Sequence, residues 1–204
     1  MPGVFEDRHG GTMAIWLTKD SLIALDPDMR AFTLVGAFLG YFALLERGVD
    51  AALGEVLEVN SIRGAIVARN MSFDDKIKTL RTLVDRFVTD KTQAKNFDEL
   101  AKRARNFGAT RNVVAHTPFR RSSKSDGVEF FPLSASSTLE YPEMDWPIDE
   151  FLRQIDAITE TDNALRSLES RMSLQRVAHA LLRGPGPKGA FGGLFGLGEL
   201  LSKE

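Results

Sequence analysis

A chain of 204 residues with 43% apolar side chains can build one real hydrophobic core with appendages. It has no cysteine, which excludes disulfides, thiolate zinc sites and cysteine nucleophiles and suits a reducing cytoplasm. Its three histidines, His9, His116 and His179, are too scattered for a polyhistidine metal site within one chain, so neither metal nor cofactor is expected.

The formal net charge is −2, but the charges are segregated. From Lys102 to Ser125 there are seven basic residues and no acidic one, whereas Glu129 to Asp162 carries nine acids and only Arg153 as a base. A block of that kind is either a solvated face or a surface for an anion such as a nucleic acid phosphate. Lys102, Arg103, Arg105, Arg120, Arg121 and Lys124 are therefore the candidate phosphate contacts.

The start, "MPGVFEDRHGG", lacks the basic-then-apolar order of a signal peptide. Residues 1–28, with Gly10-Gly11 and Asp26-Pro27-Asp28, read as an N-terminal arm with a short strand near Ala14 to Thr18. From Met29 to about residue 58 the pattern is helical, with Phe32, Val35, Leu39, Phe42, Leu45, Val49, Leu53 and Val56 recurring at three and four. Its segment "AFTLVGAFLGYFALL" is free of charge for fifteen residues, short of the roughly 20 a membrane span needs, and Glu46 and Arg47 close it. A buried or interface helix is expected there. Gly36, Gly40, Gly48 and Gly54 would permit close approach of a neighbouring helix.

After a short helical piece at Ile62 to Val67, "SFDDKIKTLRTLVDRFV" opens with Ser72 as N-cap and Asp75 three residues on. Its buried stripe is Ile77, Leu80, Leu83 or Val84, and Phe87. A third long helix begins near Asn96 or Phe97, carries Leu100, Ala104, Phe107 and Val114 on one side, and ends at Thr117-Pro118. "RRSSKSDG" is loop-like, and "VEFFPLSASSTLEY" has the β-branched and aromatic content of a two-strand hairpin. "MDWPIDEF" then starts the last long helix, with Asp145 as cap and Pro147 in its first turn. Ile148, Phe151 or Leu152, Ile155, Ile158, Leu165, Leu168 and Met172 form its stripe, with continuation or a break near Ser173. "RGPGPKGAFGGLFGLGELLSKE" reads as a Gly/Pro-rich flexible tail, and its "GGLFGLG" follows no strand and so is no phosphate loop. The expected fold is all-α: an antiparallel helical bundle over 29–183 with a short β-hairpin insertion at about 119–146, and a tail over 184–204.

The most informative stretch is "ATRNVVAHTPF". At about 100° per residue, Asn112 and His116 share a face, while Arg111 and His116 point roughly 140° apart. Arg111 instead continues the stripe of Leu100, Ala104 and Phe107. Either the helix bends near Gly108 and restarts with Thr110 as a cap, or Arg111 meets something at a subunit junction or cleft, because an unpaired guanidinium in a closed core is too costly. Glu46, on the first long helix, is the candidate acidic partner or auxiliary. Among the hairpin aromatics, Phe130, Phe131 and Tyr141 either pack on the bundle or stack exposed bases.

Arginine, asparagine and then histidine near the end of a helix resembles the signature of the HEPN superfamily, here Arg111, Asn112 and His116. The resemblance extends over roughly residues 29–172 and draws also on "FLGYFALLERGVDAAL" and "SFDDKIKTL". It implies a metal-independent endoribonuclease of toxin-antitoxin or antiviral systems, a homodimer with a composite site, RNA as substrate and an antitoxin as possible partner. It equally implies, as the alternative, an inactive bundle of the same architecture that binds nucleic acid or protein. On the first reading His116 moves the proton, Arg111 faces the phosphorane charge and Asn112 positions.

Overall fold

A computed structural model describes residues 17–182 except 58, 60, 89, 133, 136–138, 141 and 142, and leaves the side chains of 61, 87, 134, 135, 139, 140 and 168–182 undescribed. Among the described residues there are six helices: α1 (Lys19–Ile23), α2 (Pro27–Val56), α3 (Ser61–Arg69), α4 (Phe73–Phe87), α5 (Lys91–His116) and α6 (Ile148–Leu182). Between α5 and α6 lie five short strands: β1 (Phe119–Arg121), β2 (Val128–Phe130), β3 (Ser134–Ala135), β4 (Leu139–Glu140) and β5 (Met144–Trp146). The protein is mainly α, as expected. Most of the proposed N-terminal arm and the whole tail after Leu182 lie outside the described residues, as do Ala14 to Trp16 of the expected strand.

The chain divides into two compact units, one made of residues up to Ala43 and Ala109–Thr159, the other of Leu44–Gly108 and the residues from Glu160 on. Helices α2, α5 and α6 each contribute residues to both.

In the first unit, Thr18 does not end a strand. It caps α1, its hydroxyl accepting from the Ser21 amide while the Ser21 hydroxyl is within 3.2 Å of the Thr18 amide. Asp26 caps α2 by accepting from the amides of Asp28 and Met29, with Pro27 in the first turn where its missing donor costs nothing. Along this part of α2 the buried residues are Ala31, Leu34, Val35, Phe38 and Phe42. Phe32, expected in the stripe, is 66% exposed, so the apolar face is turned by about one position from the predicted one.

The hairpin expectation is corrected to a three-stranded antiparallel sheet in the order β1-β2-β5, with β3-β4 as a separate small pair. Val128 faces Trp146 and Phe130 faces both Phe119 and Met144 in register. Alternation then puts Val128 and Phe130 on the buried side, where Phe130, Trp146, Phe151 and Phe38 make a chain of tilted and edge-on ring contacts 5.1–6.2 Å apart. The expected start of α6 is corrected as well. Asp145 lies in β5, and the first free amide of α6, that of Ile148, donates to Asp126 of the loop between β1 and β2.

In the second unit, Ser72 caps α4 as expected by accepting from the Asp75 amide; its own hydroxyl donates to the Asp75 carboxylate at 2.6 Å. Ile77, Leu80 and Val84 are buried, as the spacing requires. Helix α5 begins five residues before the expected Asn96, because Asp90 accepts from the amides of Thr92 and Gln93 and caps it there. Its core face is Phe97, Ala101, Ala104 and Phe107, with Leu100 only half-buried. The helix runs unbroken through Gly108, where a Cβ would come within 2.7 Å of the Phe73 ring. The predicted bend at Gly108 with a restart at Thr110 is therefore overturned: that glycine seats a ring rather than ending a helix. Of the α2 glycines, Gly48 is closely approached by the Asp162 carboxylate, and the Cα of Gly54 lies 3.4 Å from where a Cβ on Gly64 of α3 would stand; a Cβ on Gly36, Gly40 or Gly54 itself would meet nothing within 4 Å. Helix α6 continues past Ser173 without a break.

By composition α2 is apolar enough to cross a membrane. It also supplies buried residues, Leu34, Phe38 and Phe42 in the first unit and Leu45, Val49 and Leu53 in the second.

Candidate functional site

The motif occupies the last turns of α5. Because the helix is continuous to His116, Arg111 and His116 leave it in directions roughly 140° apart, and Asn112 and His116 stand over one another. Asn112 and His116 are exposed and Arg111 is half-buried. No hydrogen bond or ion pair joins the three. The guanidinium carbon of Arg111 sits 5.0 Å from the centre of the Phe42 ring, a cation–π contact on a ring that is itself 2% exposed. Arg111 thus lies at the margin of the core rather than within it.

The six flanking basic residues have a different fate, since each is neutralised by an acid. Lys102 pairs with Asp98 and Glu99 at 2.9 Å, Arg103 with Glu160 at 3.4 Å and Arg105 with Asp74 at 2.5 Å. On the sheet, Arg120 grips Glu129 at 2.7 and 2.9 Å, Lys124 meets Glu143 at 3.0 Å, and Arg121 lies 3.7 Å from Asp28. Hydrogen bonds from Lys102 and Arg81 hold the Asp98 carboxyl below the ordinary carboxylate range, and Lys78 and Arg105 do the same for Asp74. Among the described residues, Arg111 alone of the seven cations has no carboxylate in ion-pairing reach.

Glu46 is engaged elsewhere. Its carboxylate and that of Asp50 each lie 2.8 Å from the ammonium of Lys76, whose side chain is only 5% exposed. Burial acts to lower the Lys76 pKa, but the hydrogen bonds to Asp50 and Glu46 outweigh it and raise the pKa above the usual lysine value. This buried triad was not foreseen in the sequence. Lys76, directly after Asp75, reads as an ordinary surface lysine of an amphipathic helix.

Of the sheet aromatics, Phe130 is buried, Tyr141 lies outside the described residues, and Phe131 is 42% exposed beneath the Arg120 guanidinium at 4.9 Å. His179 belongs to the part of α6 whose side chains are not described, and His9 lies outside the described residues. Compared with protein families, with curated proteins and with solved structures, the chain matches none.

Proposed function

We propose that the chain is a cytoplasmic, metal-independent endoribonuclease of HEPN type that works as a homodimer, with Arg111, Asn112 and His116 as its site. The observation that carries this reading is the contrast among the cations: six are matched with carboxylates, while Arg111 is left unmatched and held in place by Phe42. An unmatched, half-buried guanidinium is a costly arrangement for packing alone and a useful one for meeting an oxyanion.

The chemistry follows from the residue types. The imidazole of His116 takes the proton of a ribose 2′-hydroxyl as that oxygen bonds to the adjacent phosphorus. The P–O5′ bond breaks, the 5′-oxygen receives a proton, and a 2′,3′-cyclic phosphate and a 5′-hydroxyl remain. The Arg111 fork faces the charge of the crowded phosphorane, and Asn112, on the face of His116, orients the imidazole or a phosphate oxygen. Because His116 and Arg111 diverge on one helix, the histidine of one protomer is assigned to the arginine of the second across a two-fold axis. A toxin-antitoxin or defence setting, with an antitoxin as partner, belongs to the same reading. Glu46 is assigned no step, since Lys76 already holds it.

The test is purified full-length protein incubated with total RNA in chelator. Cleavage that is lost in His116→Ala and in Arg111→Ala supports the assignment; RNA left intact by wild type, or cut equally by all three, overturns it. The second reading is an inactive bundle that binds a protein or nucleic acid; the neutralised cations leave little net positive surface for an RNA backbone and so favour a protein as its partner. Intact RNA in every arm is the outcome that favours it.

A further inference from the structure

We propose that the second unit carries a binding site for a small polyanion, a ligand with two or more phosphoryl charges, in the cleft between α4 and α5. The cleft measures about 550 Å³ and is lined by Lys78, Arg81, Lys91 and Lys95, with Asp85 and Asp98 as its acids and Phe97 and Ala94 as its apolar wall. That volume falls within the range of roughly 300–1,000 Å³ typical of small-molecule sites.

The cations of the cleft divide by how they are used. Lys78 is paired with Asp74 at 2.6 Å, and Arg81 turns its Nε and Nη2 to Asp98. Lys91 and Lys95 have no carboxylate among the described residues; the Lys91 ammonium donates only to the backbone carbonyl of Asp85, at 3.2 Å. The two lysines stand one turn apart on α5 and so project from one face of the helix toward the same space. Against Asp85, Asp98 and the Asp74 that holds Lys78, the four cations leave one positive charge in excess, and Lys91 and Lys95 are the two ammonium groups not spent on a carboxylate and open to a phosphoryl group. Ammonium groups bind phosphate as point charges, without the planar geometry that a carboxylate–arginine fork demands.

The occupant is small rather than polymeric because carboxylates interrupt the positive charge along both helices. On α5 beyond it Asp98 and Glu99 follow at once, and Asp74 stands on the neighbouring turn of α4, whereas a nucleic acid backbone needs a positive track that continues. The proposal is independent of the ribonuclease reading, since no residue of the cleft belongs to the Arg111 motif.

Inorganic tripolyphosphate titrated into the full chain at low ionic strength is the direct probe, followed by calorimetry and by the thermal midpoint. Saturable binding is expected, weakened at least about tenfold in Lys91→Gln/Lys95→Gln and changed less than about twofold in Arg120→Gln/Lys124→Gln, which removes the same charge from the sheet. Equal weakening in both double variants means diffuse attraction to the surface, and overturns the site. So does an absence of binding up to about 10 mM. A ten-nucleotide single-stranded RNA forms the second arm: if it binds through Lys91 and Lys95 while tripolyphosphate does not, the cleft serves a polymer and the small-ligand proposal falls. The substituted lysines are exposed, and unchanged circular dichroism of the variants separates lost binding from lost fold.

Discussion

The guanidinium of Arg111 rests 5.0 Å above the centre of the Phe42 ring, and Phe42 is itself almost fully buried. The ring is thus a fixed floor for a cation that no described carboxylate restrains. Such a contact contributes about 0.5–2 kcal/mol and, more importantly here, limits where the charge can be. On the ribonuclease reading, Phe42→Leu keeps the apolar packing at a cost of about 1–1.5 kcal/mol but slows single-turnover RNA cleavage by roughly tenfold. Arg111→Lys, which keeps the charge and loses the fork, slows it by about a hundredfold or more. A Phe42→Leu enzyme that cuts RNA at the wild-type rate would show that the ring plays no part in positioning.

Substituting alanine for glycine is expected to change stability in opposite directions at different helix positions. At Gly36 and Gly40 an added Cβ meets nothing within 4 Å, so each exchange gains helix propensity alone, about 0.5–1 kcal/mol. At Gly108 the same methyl would lie 2.7 Å from Cδ1 of Phe73, whose ring is 7% exposed and hemmed in. There the propensity gain is outweighed, and a net loss of about 1–2 kcal/mol is expected. Gly127 is more severe: a Cβ there collides with the backbone carbonyl of Trp146 on the paired strand, which cannot step aside. Urea denaturation of the four single variants checks the order, and a stabilised Gly108→Ala sinks the packing account.

What could be read from sequence was local, and what was missed was remote. Ser72 announced α4 because its cap lies within four residues, and the Ile77, Leu80 and Val84 stripe follows the helical repeat. The start of α5 was missed because Lys91 to Asn96 contains no large apolar residue, so the periodicity begins only at Phe97 while the cap sits at Asp90. Strand β5 was mistaken for the beginning of α6 because Asp145 and Pro147 mimic a helix start, when the true acceptor, Asp126, is 22 residues away. The same holds at the candidate site. Seven basic residues with no acid among them looked like an anion surface, yet Lys102 pairs locally with Asp98 and Glu99, Arg105 finds Asp74 at 31 residues' distance and Arg103 finds Glu160 at 57. That Arg111 continues a buried stripe was legible from helical geometry; that Phe42 would support it was not.

The pairing of the α5 cations carries an acid-dependent signature. Asp98 and Asp74 have folded-state pKa values below their ordinary ones, so their contribution to stability is complete above about pH 4 and is lost as the pH falls through the lowered folded values. Both are well exposed, so the effect is modest and screened by salt. Between about pH 5 and pH 3, Asp98→Asn is expected to show a shallower fall of the thermal midpoint than wild type, and added salt should narrow the difference. Parallel curves at low salt would show that these pairs are indifferent to folding.

The Lys76 triad has the opposite sign. Its folded-state pKa is raised, so its contribution is fully present below the ordinary lysine pKa of about 10.4 and is lost as the pH climbs through the higher folded value. Lys76→Met removes the cation that both Glu46 and Asp50 hold and leaves two half-buried carboxylates close to each other. Breaking a buried pair from one side costs about 3–5 kcal/mol; with the carboxylates partly reached by water, about 3 kcal/mol is the expectation. The triple variant Lys76→Met/Glu46→Gln/Asp50→Asn leaves no charge behind and should recover most of that loss, because the desolvation of all three ions is also removed. Denaturant titrations at pH 7 compare the two, and alkaline unfolding of wild type locates the transition. If the triple variant is no more stable than Lys76→Met, the cost comes from packing around the lysine stem rather than from the stranded carboxylates.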